Sequence, residues 1–102
     1  MPDSAQSESV WVVTAEVAME PGEIGFINMT VWGESSAEAI ERIESYLGKH
    51  GWKLLAVERV MEADPAHDHG DEVNAMIDET LSDRNAIRHG TYFKYPPTRA
   101  TH

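Results

Sequence analysis

Alternation of apolar and polar positions marks two extended segments in the first third of the chain. In residues 10–19 every odd-numbered position is apolar, and residues 25–32 continue with an apolar residue at each odd position from Ile27. A period of two places successive side chains on opposite faces of a strand. Pro21 and Gly22 lie between the two segments and favour a tight turn. The pattern therefore predicts a β-hairpin.

After the hairpin, apolar residues recur at intervals of three and four positions, which indicates an amphipathic helix. Ser35 and Glu38 stand at the spacing of a capping box, so the helix is predicted to begin beside Ser35. Gly51 follows the last apolar position and tolerates the left-handed conformation that ends many helices. The predicted apolar stripe consists of Ala39, Ile40, Ile43, Tyr46 and Leu47.

The second half of the chain predicts two more strands around a second helix. Residues 52–61 are mostly apolar, which is typical of a strand in the middle of a sheet. Residues 62–69 are polar and contain a proline, so we expect a loop there. Residues 90–95 combine threonine with aromatic side chains, as a last strand does. The helix between them is predicted to begin at Gly70 or Asp71. Its buried stripe consists of Val73, Met76, Ile77 and Leu81.

The resulting order β-β-α-β-α-β predicts one α+β domain. It is typical of a two-layer sandwich, in which two helices cover one face of a mainly antiparallel sheet of about four strands. The domain is predicted to span residues 9–97. We expect residues 1–8 to be a disordered N-terminal tail and residues 98–102 to be a C-terminal tail, because neither has apolar periodicity.

Two helices on one face would leave the opposite face of the sheet without cover. The even-numbered positions place Val10, Val12, Phe26 and Trp32 on that face, next to polar residues. A large exposed apolar patch is unusual for a monomer. A second copy of the chain is the simplest cover, which predicts a homodimer. The alternative is that aromatic side chains at the strand ends fold over the edge and shield the face.

Composition restricts the chemistry that this chain can perform. It has 102 residues, no cysteine and a formal net charge of -10 at pH 7. Lack of cysteine excludes a disulfide, a thiolate zinc site, an iron–sulfur cluster and a cysteine nucleophile. The net charge disfavours nucleic acids and membranes as partners, because both are bound largely through Lys and Arg. The first residues lack the features of a secretory signal, so we expect a cytoplasmic location.

The densest group of polar residues is the run DPAHDHGDE at residues 64–72. Imidazole nitrogen and carboxylate oxygen are ligands for divalent transition metals, and alternate residues of an extended segment project to the same side. His67, His69 and Asp71 are therefore candidate metal ligands, and such a metal is the one cofactor that the sequence suggests. The same run is also typical of a solvated acidic loop in front of a helix.

Negative charge is concentrated in the predicted second helix and the loop before it. Residues 62–83 contain eight Asp or Glu and no Lys or Arg. Such a field speeds association with a basic protein. Asp78, Glu79 and Asp83 are the candidate partner surface, as in an inhibitor or immunity-type protein for a basic partner. An ordinary solvated helix face has the same composition.

The sequence contains no complete catalytic set. His50 and His89 lie at predicted element boundaries, and neither has an acid or nucleophile whose proximity can be argued. The interpretation is therefore a small acidic binding or protein-interaction module without catalysis, forming a homodimer. The metal-dependent protein and the inhibitor of a basic partner are the alternatives.

Overall fold

The computed structural model describes residues 8–20, 23–64 and 66–94, and it confirms the predicted class and element order. The tails predicted at residues 1–8 and 98–102 lie outside the described residues, apart from Glu8. The elements are β1 Ser9–Glu20, β2 Glu23–Gly33, α1 Ser36–Lys49, β3 Lys53–Glu62, α2 Asp71–Leu81 and β4 Ile87–Lys94.

The four strands form one antiparallel sheet in the order β3-β1-β2-β4. The hairpin of β1 and β2 is central, and β3 is at an edge rather than in the middle, where its apolar sequence predicted it. The pairing of β1 with β3 is irregular at two places, between Thr14 and Ala15 and between Glu16 and Val17. Because of these irregularities, residues of β3 that are three positions apart face the same side of the sheet. The residues of β3 that pack on the core are Leu54, Val57 and Val60.

Helix α1 packs on one face of this sheet, and its start has the predicted chemistry. The Glu38 backbone N–H donates to the Ser35 hydroxyl at 3.2 Å. The Glu38 carboxylate accepts in return from the backbone N–H of Glu34. This reciprocal capping satisfies donors that the first helical turn leaves open. The core under α1 is formed by Val13, Ala15, Val17, Ile27, Met29, Val31, Ala39, Ile43 and Leu47.

Helix α2 packs on the opposite face, which differs from the predicted two-layer arrangement. Val12 pairs with Thr30 across the hairpin, and both lie on the face opposite to Val13. The Thr30 hydroxyl lies 2.7 Å from the Thr80 hydroxyl of α2. The Trp32 indole N–H donates to the Thr80 carbonyl at 2.6 Å. The sheet is therefore enclosed between α1 and, over one part of its second face, α2.

This placement of α2 changes which side chains are accessible. Val10 and Val12 are 3% and 5% exposed, because α2 and the loop before it cover them. The buried stripe of α2 is Val73, Met76 and Thr80, whereas Leu81 is 54% exposed. In the described part of the chain, no helix is both long and apolar enough to span a bilayer.

Candidate functional site

A cavity of about 650 Å³ lies between α2, the loop before it and the adjoining ends of β1 and β2. We call it the α2 pocket. Its size is within the range of ligand-binding sites. The pocket exists because α2 covers only part of the second face and leaves a gap beside residues 63–69. Its apolar lining consists of Val10, Trp32, Ile77 and Leu81.

Four acidic residues line the same pocket as this apolar surface. Glu8, Asp64, Asp68 and Asp78 line the α2 pocket. The pKa of Asp68 is lowered, first by the hydrogen bond from the Gly70 backbone N–H and next by the amide of Asn74. Asp68 therefore stays ionised at neutral pH, and the α2 pocket has a negative rim.

Hydrogen bonds within the loop hold this rim in place. One Asp68 oxygen accepts from the Gly70 backbone N–H at 2.9 Å and from the Asn74 amide at 3.0 Å. The Asn74 amide oxygen accepts from the His69 backbone N–H at 3.2 Å. Gly70 has φ +96, a conformation that residues with a side chain rarely adopt. Hydrogen bonds thus join the loop to the first turn of α2 through the Asn74 side chain, although α2 has no side-chain N-cap.

The two histidines of the predicted metal site lie together in this loop. The rings of His67 and His69 are 4.5 Å apart between centroids, and both residues line the α2 pocket. Within the described ranges, His69 Nε2 is buried and has no hydrogen-bond partner. No three His, Asp or Glu side chains among the described residues are grouped to hold a metal ion, so Asp71 does not complete a site with them.

Two residues that line the α2 pocket, Trp32 and Glu8, also contact the guanidinium of Arg84, which itself lines a neighbouring cavity. The Arg84 guanidinium carbon lies 4.4 Å from the centroid of the Trp32 ring. Arg84 Nη1 also lies 3.3 Å from Glu8 Oε1. A second guanidinium, that of Arg42, lies 3.4 Å from the other Glu8 oxygen. The pocket wall therefore contains an aromatic ring and a carboxylate that already hold a cation.

The predicted acidic surface is divided among three environments. Asp78 lines the α2 pocket. Glu79 is 3.1 Å from Arg88 Nε. Asp83 accepts a hydrogen bond from the Asn85 backbone N–H at 2.9 Å and stabilises the turn after α2. Asp78 is the member of the three that faces the candidate site, and the acidic partner surface stays a prediction.

The predicted homodimer face is divided in a similar way. Val10 and Val12 are buried within the chain, and Trp32 lines the α2 pocket. Phe26 stacks on Phe93 of β4 with ring centroids 5.1 Å apart. Val10 and Val12 are therefore not accessible to a second copy, whereas Phe93 is 45% exposed, and the homodimer stays a prediction.

One aromatic cluster was missed in the sequence because His89 is distant along the chain from the other members, Tyr46, His50 and Trp52. The Tyr46 hydroxyl is 3.0 Å from His89 Nδ1. The His50 ring lies 4.5 Å from Tyr46 and 5.2 Å from Trp52 between centroids. Alternation in the last strand could have placed His89 on the α1 face, but nothing in the sequence predicts that His50 lies near it.

Comparison of the chain with protein families, with curated proteins and with solved structures finds no match. A functional interpretation therefore has to rest on the geometry of the α2 pocket and its surroundings.

Proposed function

We propose that the protein is a small, non-catalytic interaction module that binds a basic protein segment in the α2 pocket. The observation that carries the proposal is the combination of an apolar surface with four acidic residues in one cavity. A basic segment with apolar side chains matches both features. This proposal joins the interaction module and the basic partner that the sequence analysis suggested.

Apolar surface in the α2 pocket supplies affinity for such a segment. Leu81 is 54% exposed, although it belongs to a helix that packs on the sheet. Ile77 lies one turn earlier on the same wall, and Trp32 lines the cavity from the sheet. Covering a fully exposed leucine side chain contributes about 2 kcal/mol, so the exposed half of Leu81 offers about 1 kcal/mol. A bound apolar side chain would therefore gain affinity here.

Carboxylates at the rim supply selectivity for a positive partner. Asp64 and Asp78 border the apolar wall, and neither is paired with a described Lys or Arg in an ion pair. The chain as a whole has a net charge of -10, so the long-range field also favours basic partners. Electrostatic attraction of this kind raises the association rate and weakens with salt.

Calorimetric titration with a short peptide of alternating leucine and lysine tests the proposal. The control peptide carries acetyl-lysine in place of lysine. We expect Asp78→Asn to weaken binding about threefold, in the range of partly exposed charge pairs. Leu81→Ser should weaken binding by a larger factor, because the bound peptide then buries less apolar surface. Glu41→Gln is the matched control, since it removes one exposed charge on α1.

Binding that weakens with salt, requires unmodified lysine and responds to Asp78→Asn more than to Glu41→Gln would support the proposal. Binding that is insensitive to salt and equal for both peptides would contradict it. Equal effects of Asp78→Asn and Glu41→Gln would also contradict it, because the net charge rather than the pocket would then attract the peptide.

A divalent transition metal is the second candidate ligand. Support comes from the adjacent rings of His67 and His69 and from the buried, unpartnered Nε2 atom of His69. Imidazole nitrogen suits zinc and nickel, which need further ligands beyond two histidines. Zinc titration of the wild type, His67→Ala and a His50→Ala control tests this candidate. Uptake that is lost only in His67→Ala supports it, and no stoichiometric uptake contradicts it.

A further inference from the structure

Trp32 and Glu8 form a preorganised site for a guanidinium group at the edge of the α2 pocket. Two hydrogen bonds hold these side chains and their neighbours in position. The Trp32 indole N–H donates to the Thr80 carbonyl at 2.6 Å, which fixes the ring. Arg42 Nη1 donates to the Trp32 carbonyl at 2.8 Å, and its Nη2 atom is 3.4 Å from Glu8 Oε2. Arg42 thereby fixes the carboxylate beside the ring.

Arg84 occupies this guanidinium site in the free protein. Its guanidinium lies 4.4 Å above the Trp32 ring and 3.3 Å from Glu8 Oε1. The Arg84 side chain is 56% exposed, so water competes for much of its surface. Its two contacts are therefore weak enough to be replaced by a ligand that gains additional contacts in the pocket.

We propose that the α2 pocket recognises an arginine side chain of its basic partner, and that this arginine replaces Arg84 on Trp32 and Glu8. The inference rests on the proposed function of the α2 pocket. Glu8 and Trp32 both line the α2 pocket, whereas Arg84 lines a neighbouring cavity that shares Glu8 with it. The incoming guanidinium therefore has to pass from the α2 pocket beside Glu8 into the place that Arg84 holds. Arg84 then acts as an internal competitor that lowers affinity for the partner.

Arginine fits this site better than lysine does. The planar guanidinium stacks on an aromatic ring while its N–H groups donate to a carboxylate beside the ring. The ammonium of lysine is a compact, strongly hydrated charge and cannot make both contacts with the same geometry. Arg84 itself shows the arrangement, with its carbon above Trp32 and a terminal nitrogen at Glu8.

Substitution of Arg84 tests the inference. Calorimetric titration compares peptides of alternating leucine with arginine or with lysine against wild type, Arg84→Gln and Arg88→Gln. Arg88→Gln is the matched control, because it removes the same charge from a residue that pairs with Glu79 instead. We expect Arg84→Gln to bind the arginine peptide about three- to tenfold more tightly than Arg88→Gln does, from the weak contacts it removes. The lysine peptide should gain less.

Each outcome separates the inference from the proposed function. Tighter binding of the arginine peptide by Arg84→Gln alone, with a smaller gain for lysine, supports the inference. Equal affinities in Arg84→Gln and Arg88→Gln overturn it, even where Asp78→Asn and Leu81→Ser still show that the peptide occupies the pocket. In the Arg84→Gln background, a tenfold or greater loss of affinity on adding Glu8→Gln would confirm the carboxylate as part of the site. No difference between Arg84→Gln and Glu8→Gln/Arg84→Gln would overturn that assignment.

Discussion

The hydroxyl groups of Thr30 and Thr80 lie 2.7 Å apart and join strand β2 to helix α2 across 50 positions of sequence. Both side chains are completely buried, so neither hydroxyl can bond to water instead. The Met76 carbonyl lies 3.4 Å from the Thr30 hydroxyl and is a second, longer contact. One hydroxyl donates to the other, and the Met76 carbonyl is a further acceptor for Thr30, so α2 covers this face of the sheet without leaving these buried hydroxyls unpaired.

Replacing both threonines by valine should destabilise the fold by less than the sum of the two single replacements. Thr30→Val or Thr80→Val alone leaves one buried hydroxyl without its partner, which costs about 1–3 kcal/mol. Thr30→Val/Thr80→Val removes both hydroxyls, so the cost should be smaller than the sum of the single costs. Urea denaturation of the four proteins measures the coupling. Strict additivity would show that the contact contributes nothing.

Two glycines predict opposite effects of the same substitution. Gly70 has φ +96 and no described atom near a built Cβ, so Gly70→Ala suffers from backbone strain alone. We expect a loss of about 1 kcal/mol. Gly48 lies in α1 without a positive φ, and a Cβ there meets nothing. Gly48→Ala should stabilise the protein by about 0.5 kcal/mol. Thermal denaturation should show a lower melting temperature for Gly70→Ala and a higher one for Gly48→Ala than for the wild type.

Asp68 and Glu72 predict a loss of stability in acid. Hydrogen bonds from Gly70 and Asn74 lower the pKa of Asp68, and hydrogen bonds from Thr91 lower the pKa of Glu72. A lowered pKa in the folded state stabilises it above the unfolded value, which is about 4 for carboxyl groups. That contribution disappears as pH falls through the lower folded values.

Melting temperatures measured from pH 6 downward should therefore fall below about pH 4. Asp68→Asn should flatten part of that fall, because it removes one of the two carboxyl groups whose pKa is lowered in the folded protein. Glu41→Gln, an exposed change on α1, should leave the curve as it is in the wild type. An Asp68→Asn curve parallel to the wild type would show that the loop does not couple to folding.

Light scattering tests the homodimer that the sequence predicts. A homodimer has twice the mass of one 11.4 kDa chain. Phe93 is 45% exposed and Ile24 is 39% exposed, so Phe93→Ser should shift the equilibrium toward the monomer if this part of the sheet is the contact. A mass of one chain at micromolar concentration would refute the homodimer. It would leave the proposal for the α2 pocket unaffected.

Periodicity in the sequence predicted the elements because each one buries a continuous apolar stripe. The capping pair Ser35 and Glu38 was also predicted, since a local hydrogen bond decides it. The start of α2 was predicted at Gly70 or Asp71 from its acidic first turn, and the helix begins at Asp71. The edge position of β3 was not predicted. Two irregularities in its pairing with β1 place several residues of its apolar run on the same face of the sheet. A run of apolar residues alone cannot distinguish that case from a central strand.

The sequence also did not predict which face of the sheet α2 covers. Thr30 and Thr80 count as polar positions in a periodic pattern, and polar positions are assigned to solvent. Their burial depends on a hydrogen bond between residues 50 positions apart, which no local pattern contains. The α2 pocket follows from that placement. The charge of its rim was predictable, but its apolar surface from Trp32 and Leu81 was not.

Mapping of backbone and indole N–H signals by NMR during titration with the leucine–arginine peptide tests the central claim most directly. If the α2 pocket binds the basic segment, the largest shifts will fall on the Trp32 indole N–H, Ile77 and Leu81, with little change around His50 and Trp52. Shifts spread evenly over the acidic surface, or no shifts at all up to millimolar peptide, would contradict the account.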